Sequence, residues 1–258
     1  MAHDQEQEGD SVPSTMPMLH PERARLIVLE GIDLSGRTTQ VQLLREWLLA
    51  QRYQVTTTAW RTSPLISDAL ARARMGTPLQ PLAYSLLYCA DHLDRTQRVI
   101  KPALEQGEIV IADRYIYTAF ARDTARGLDA SWVRSLYRFA VPPDIVFYLH
   151  ISPEEAVKRR LALQQPVGKQ EEKDKKHGKE QKHKHKQDKE QVQAGAVPPP
   201  APLTQEMLES FRFFENKMYS EYEQMQKEFG FTVIEGNQPI EQVQALLRRA
   251  VGRLLLEM

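Results

Sequence analysis

Gly31, Gly36 and Thr38 fall at the spacing of a phosphate-gripping loop, with Ile32, Asp33, Leu34 and Ser35 between the glycines and Arg37 where such loops carry lysine. Paired glycines let backbone N–H groups turn toward phosphate oxygens, a neighbouring cation meets the outer phosphates, and the hydroxyl of Thr38, followed by Thr39, suits Mg²⁺. A guanidinium keeps the lysine's charge but is a planar fork suited to bidentate phosphate contact, not a compact point charge. Binding of a polyphosphate is the chemistry this pattern supports. Chance glycines in a strand–turn–helix would look similar, but the context favours the loop. An apolar run of β-formers precedes it, and Val41, Leu44 and Leu48 follow at helical spacing.

A second cluster ends another apolar run: Asp113, Arg114 and Tyr115 follow Ile109–Ala112. The carboxyl end of a strand is where ligands bind in open α/β sheets, so these groups are expected to face the loop. Asp113 can hold Mg²⁺ or its waters, and Arg114 can grip a phosphate. A purely structural alternative has Asp113 capping the next helix and Arg114 pairing with it. Arg61, at the exit of the second apolar run, is a further candidate phosphate ligand.

Positioning these residues requires a regular frame. Apolar β-rich runs recur at Leu26–Glu30, Gln54–Ala59, Ile109–Ala112, Ile145–His150 and Phe231–Glu235, separated by helical patterns. That alternation predicts a parallel sheet with helices on both faces. Helices are expected over Gln40–Ala50, Leu65–Ala73, Pro81–Gln106, Trp132–Phe139 with Ser131 as cap, Leu203–Phe229 and Ile240–Leu256. Another should start at Ser152-Pro153-Glu154-Glu155, where serine caps, proline takes the first position and acids favour the dipole.

The 258 residues give room for one α/β domain, expected over 23–258, behind a disordered tail at 1–22 within which Met16 or Met18 is an alternative start. A low-complexity insertion interrupts the domain at 165–202: Gly168–Glu190 is rich in Lys, Glu, Gln and His, and Ala194–Pro202 is proline-rich. His177, His183 and His185 within it are read as solvating the tract, not as metal ligands. Lys+Arg and Asp+Glu are equal at 34 each, so no net field draws the chain to nucleic acid or a membrane surface, and neither is expected as a partner. No apolar stretch is long enough to cross a bilayer, and a cytoplasmic protein is expected. The single cysteine, Cys89, excludes an intramolecular disulfide and is read as small apolar filler on a helix.

Taken in order, Gly31–Thr39, Arg61, Tyr88–His92, Val99–Leu104, Asp113-Arg114-Tyr115, Pro143–Leu149 and Ser152-Pro153-Glu154 resemble the thymidylate kinase family over about 25–163 and again over 204–256. The resemblance implies a three-layer P-loop kinase fold with a five-stranded parallel sheet flanked by helices. It further implies transfer of the ATP γ-phosphoryl group to thymidine monophosphate with Mg²⁺, and a homodimer through helices near Pro81–Gln106. Gly31–Thr38 would then bind ATP, Asp33 and Asp113 would organise metal and acceptor phosphate, and Arg61 and Arg114 would clamp that phosphate. Arg37, Asp33, Asp113 and Arg114 are the catalytic candidates, Thr38 and Asp113 the metal candidates, and Arg61, His92, Arg114, Tyr115 and Arg122 the substrate-binding candidates.

The chain departs from the family pattern at informative places. His92 replaces a base-reading arginine, Ala121-Arg122-Asp123 replaces Ala-Tyr-Gln, and Arg61-Thr62-Ser63-Pro64 replaces an Arg-Glu-Pro-Gly-Gly turn. Leu34 occupies the loop position where one subclass of the family carries an arginine, so the alternative subclass, with its catalytic arginine in the lid, is expected. Leu161 and Leu163 stand where lid arginines would fall, leaving Arg159, Arg160 or Lys169 for that role. These departures keep two other readings open: a phosphotransferase for another nucleotide or metabolite, and an ATP-binding protein with little kinase activity.

Overall fold

The computed structural model describes residues 24–64, 66–69, 79–164 and 204–256. Strands β1 (Arg25–Glu30), β2 (Val55–Ala59), β3 (Ile109–Asp113), β4 (Ile145–His150) and β5 (Thr232–Glu235) form one sheet, ordered β2-β3-β1-β4-β5 with every pair parallel. The helices are α1 (Arg37–Ala50), α2 (Pro81–Arg95), α3 (Lys101–Glu105), α4 (Ile116–Ala125), α5 (Ala130–Leu136), α6 (Pro153–Ala162), α7 (Gln205–Phe229) and α8 (Ile240–Leu256). The expected five-stranded parallel sheet is thus the observed one.

The strands read as continuous apolar runs because both faces are covered. Successive residues point to opposite sides. Leu26, Val28, Val110, Ala112 and Tyr148 pack into a core with Tyr88, Phe120, Val133 and Tyr222 from α2, α4, α5 and α7. Ile27, Leu29, Ile111, Phe147 and Leu149 pack on the other side with Leu44 and Leu48 of α1 and Leu247 and Val251 of α8. Cys89 rests against the first core with Sγ 3.4 Å from the Leu136 carbonyl, consistent with its reading as filler.

Three helix expectations are refined. The single helix over Pro81–Gln106 is interrupted by a π-helical turn, Thr96–Ile100, where the Lys101 N–H reaches back to the Thr96 carbonyl. Pro102 follows at once and has no N–H to continue the regular ladder. The helix expected at Trp132–Phe139 starts at Ala130, and its cap is Asp129, not Ser131: the Asp129 carboxylate accepts from Trp132 N–H at 2.8 Å. Of Leu65–Ala73, residues 67–69 are helical, and the remainder lies outside or at the edge of the described residues. Ser152 caps α6 as expected, accepting from Glu155 N–H at 3.2 Å. The tail at 1–22, Lys169 and the insertion at 165–202 with its histidines lie outside the described residues. Among the described residues no helix is long and apolar enough to cross a membrane.

Candidate active site

The loop 31–36 leaves β1, the middle strand, and delivers the chain to the N-terminus of α1. Gly31 has φ 147°, and a Cβ there would sit 2.7 Å from the Leu149 carbonyl, so only glycine lets β1 turn this tightly beside β4. The middle strand also ends beside β3, which brings Asp113 to the same rim.

Arg37 is buried and folded into the loop rather than extended from it. Its Nη1 donates to the carbonyls of Gly31 and Ile32 and to Ser35 Oγ, and its Nε donates to Asp113 Oδ1 at 3.2 Å. Burial and the nearby Arg114 charge push its pKa down while Asp113 opposes them. Nη2 makes no hydrogen bond to the described residues and is the donor left for a ligand. Thr38 Oγ1 donates to Asp113 Oδ2 at 2.6 Å, placing a hydroxyl and a carboxylate side by side at the loop's mouth. Asp113 does not cap α4, whose cap residue is Tyr115. Nor does Arg114 pair with it: Arg114 Nη2 donates to Asp33 Oδ1, and Nη1 donates to Gly31 O and Thr118 Oγ1. Burial opposes the Arg114 charge, but Asp33, Tyr222, Glu30 and Asp113 together outweigh it and raise the pKa.

Beside the loop lies a cavity of about 250 Å³, with Asp33, Arg61 and Arg114 near its polar mouth and Trp60, Tyr88 and Phe214 among its aromatic walls. Arg61 makes no ion pair among the described residues. Its position is fixed through the backbone: buried Asp91 accepts from Arg61 N–H and Ser63 N–H, both at 3.0 Å, and from Arg95 Nε at 3.0 Å. Leu34, Arg61 and Arg114 have φ of 65°, 68° and 72°. Side chains with a Cβ adopt this left-handed region at a cost of order 1–2 kcal/mol each, and three such residues gather around one loop and cavity.

Of the remaining substrate-binding candidates, Arg122 lines the cavity, whereas His92 and Tyr115 do not. Both are fully buried behind its wall. The His92 ring lies 5.5 Å from Trp60, 4.8 Å from Tyr115 and 5.6 Å from Tyr137, and burial holds its pKa well below the usual value, so the ring is neutral. Tyr115 donates its hydroxyl to Val141 O and accepts Trp60 Nε1–H on its carbonyl, which anchors the indole. These two residues shape the cavity wall and do not reach into it.

Two further carboxylates were not singled out from the sequence. Glu30, fully buried at the end of β1, accepts from Tyr115 N–H, Thr118 N–H, Thr118 Oγ1 and Tyr222 Oη, tying α4 and α7 to the strand that carries the loop. Burial raises its pKa against these donors and the charge of Arg114. An acid directly before Gly31 in an apolar run was the available signal. Glu215 on α7 lines the cavity and accepts from Asp33 N–H at 3.0 Å. Nothing local in the sequence marks it.

On the opposite side of the loop, Leu34, Thr39, Arg159, Leu163, Gln238 and Ile240 border a more apolar recess of about 420 Å³. Arg159 donates to Leu34 O at 3.0 Å and Gly236 O at 2.9 Å, so of the lid candidates it touches the loop. Arg160 lies over the Phe211 ring, and Leu161 and Leu163 are exposed.

Comparison with known proteins gives a consistent picture. A thymidylate kinase family profile matches residues 29–197. A protein named probable thymidylate kinase 2 from Saccharolobus solfataricus is 33% identical over 234 residues, covering 90% of this chain and 98% of its own length. A probable thymidylate kinase from Thermococcus kodakarensis is 40% identical over 142 residues, 52% of this chain and 69% of its own. A Synechococcus thymidylate kinase is 36% identical over 156 residues, 55% of this chain and 74% of its own.

Proposed function

The chain belongs to the thymidylate kinase family, and from that premise we infer that it transfers the γ-phosphoryl group of ATP to thymidine monophosphate, giving dTDP for dTTP synthesis. The observation that carries this reading is the phosphate loop opening onto a cavity with arginines at its mouth and aromatic walls beyond. Phosphoryl transfer needs little covalent work from a protein; it needs the acceptor oxygen in line and the spreading negative charge met by fixed donors.

The backbone of Gly31–Thr39 is assigned to the phosphates of ATP, with Arg37 Nη2 directed at the β- and γ-oxygens. The recess beside Arg159 takes the base of ATP. Arg61 and Arg114 hold the acceptor phosphate, and Asp33 fixes the orientation of Arg114 through their ion pair. The adjacent oxygens of Thr38 and Asp113 fit Mg²⁺, which takes few protein ligands and completes its shell with waters and phosphates. Such an ion, when bound, neutralises charge on the transferring group. A homodimer through α2 completes the proposal, supported by exposed Leu82, Leu86 and Leu93 along that helix.

Purified protein incubated with ATP, Mg²⁺ and a panel of monophosphates tests the reading. Diphosphate should form from thymidine monophosphate with matching ADP release. ATP binding with no diphosphate formed from that acceptor would overturn it.

A further inference from the structure

We propose that Asp91 is a positioning residue for acceptor binding: its carboxylate fills a backbone anion nest in the turn after β2 and so sets where Arg61 presents its cation at the mouth of the cavity. The proposal rests on the assignment of Arg61 to the acceptor phosphate.

The turn lacks the means to hold its own shape. Residues 61–64 are Arg-Thr-Ser-Pro, with no glycine among them. Arg61 nevertheless takes φ 68°, a region that a residue with a Cβ enters at a cost. Around such a residue, backbone N–H groups converge into a concavity that binds an anion. Here the anion is a side chain: Asp91 Oδ2 accepts from Arg61 N–H and Oδ1 from Ser63 N–H, both at 3.0 Å. Hydrogen bonds to an ionised acceptor are stronger than neutral ones, so this carboxylate is the group that offsets the left-handed backbone. Thr62 Oγ1 donates to Ala59 O at 2.7 Å and Ser63 Oγ to Asp94 Oδ2 at 2.7 Å, but neither engages an N–H of the nest.

Asp91 acts as one half of a charge pair. It is fully buried, and a carboxylate out of water needs a cation beside it. Arg95, one turn along α2 and 1% exposed, donates from Nε to Asp91 Oδ2 at 3.0 Å. Its Nη1 donates to Thr58 Oγ1 of β2 at 2.8 Å, and its guanidinium carbon lies 5.1 Å from the centre of the Trp60 ring. The pair thus grips the chain at Thr58, Trp60, Arg61 and Ser63.

The consequence falls on one substrate. The Arg61 side chain is exposed and borders the cavity, so the fixed backbone beneath it decides where its charge sits. Neither Asp91 nor Arg95 bonds to the phosphate loop. Loss of the pair should therefore be felt by the acceptor and not by ATP.

The test is calorimetric titration of the full-length protein with dTMP and, separately, with ATP, together with turnover. Asp91→Asn is combined with Arg95→Gln so that no cation stays buried without its anion. A carboxamide has one acceptor oxygen for the two nest donors and sets its own N–H groups against the other. In this double variant dTMP should bind weaker by about tenfold or more, with ATP affinity within about twofold of wild type. In an Arg61→Ala background, where the cation is already gone, the same pair of substitutions should cost less than about twofold in dTMP affinity. A pair that merely stabilises the fold would weaken dTMP binding alike with and without Arg61. Such additivity would overturn the proposal, as would unchanged dTMP affinity in the folded double variant. Should the double variant fail to fold, Asp91→Glu decides on the same criteria, because it keeps the charge opposite Arg95 and carries the carboxylate one methylene past the nest. Binding of dTMP without turnover, weakened by the pair only when Arg61 is present, would remove the kinase reading and leave this one standing. Turnover of dTMP with an affinity indifferent to residue 91 would do the reverse. A wild type that neither binds nor phosphorylates dTMP would overturn both.

Discussion

Glu215 offers a direct test of how the cavity's electrostatics feed into stability. It is 2% exposed and accepts from the Asp33 N–H. Burial, and then the charge of Asp33, push its carboxyl up to about 7, against the opposing pull of that hydrogen bond, Arg114 and Arg37. An acid with a raised folded-state pKa binds more protons folded than unfolded between about pH 4.5 and 7. Its contribution to stability therefore declines as pH rises through that window and is flat above it. The interval corresponds to roughly 3 kcal/mol. In Glu215→Gln the amide oxygen still accepts from Asp33 N–H, but nothing titrates. The variant's stability relative to wild type should therefore improve by roughly 3 kcal/mol between pH 4.5 and 8, about 6–12 °C in Tm for a domain of this size. Thermal unfolding of both proteins, followed by circular dichroism in a buffer series without nucleotide, measures the difference curve. A difference constant to within about 0.5 kcal/mol would mean that Glu215 does not titrate in this range and that the Asp33 N–H, Arg114 and Arg37 offset its burial.

Arg37→Ala removes three hydrogen bonds within the loop and the cationic partner of Asp113; kcat/KM for ATP-dependent transfer should drop by about 10²-fold or more, and a change within twofold would refute a role for the guanidinium in stabilising the transferring group. Glutamates at Leu82 and Leu86 together place charge on the exposed apolar stripe of α2. Sedimentation velocity should then report a dimer for wild type and a monomer for the variant, and an unchanged dimer would move the interface elsewhere.

The sheet was legible because parallel strands buried on both faces leave an unmistakable run of apolar residues, and Ile145–His150 and Ile240–Leu256 match their expected limits. Helix starts were harder where two caps compete. Asp129 and Ser131 both precede Trp132, and Ser131 Oγ itself bonds Asp129 at 2.5 Å, so the carboxylate takes the cap. In the site, Gly31, Gly36, Thr38, Asp113 and Arg114 were visible because their spacing or strand-end position is local. Glu30 was hidden as a strand terminus, and Glu215 is one of several acids on a polar helix, distinguished solely by what α7 packs against. His92 shows the converse: a position that matters in the resemblance carries a side chain that the fold has withdrawn into an aromatic cluster.

The left-handed conformations of Leu34, Arg61 and Arg114 have a bearing on how this chain would respond to selection. Glycine at Leu34 or Arg61 would adopt the same backbone freely, so a screen for heat resistance alone would favour substitutions there, whereas Arg114 is held by its bonds to Asp33, Gly31 and Thr118. At positions 61 and 114 the same substitution deletes a cation at the mouth of the cavity. Laboratory evolution for robustness, uncoupled from an activity selection, would thus drift toward a sturdier protein with a disarmed cavity. Those two positions are the ones to hold fixed when stabilising this scaffold.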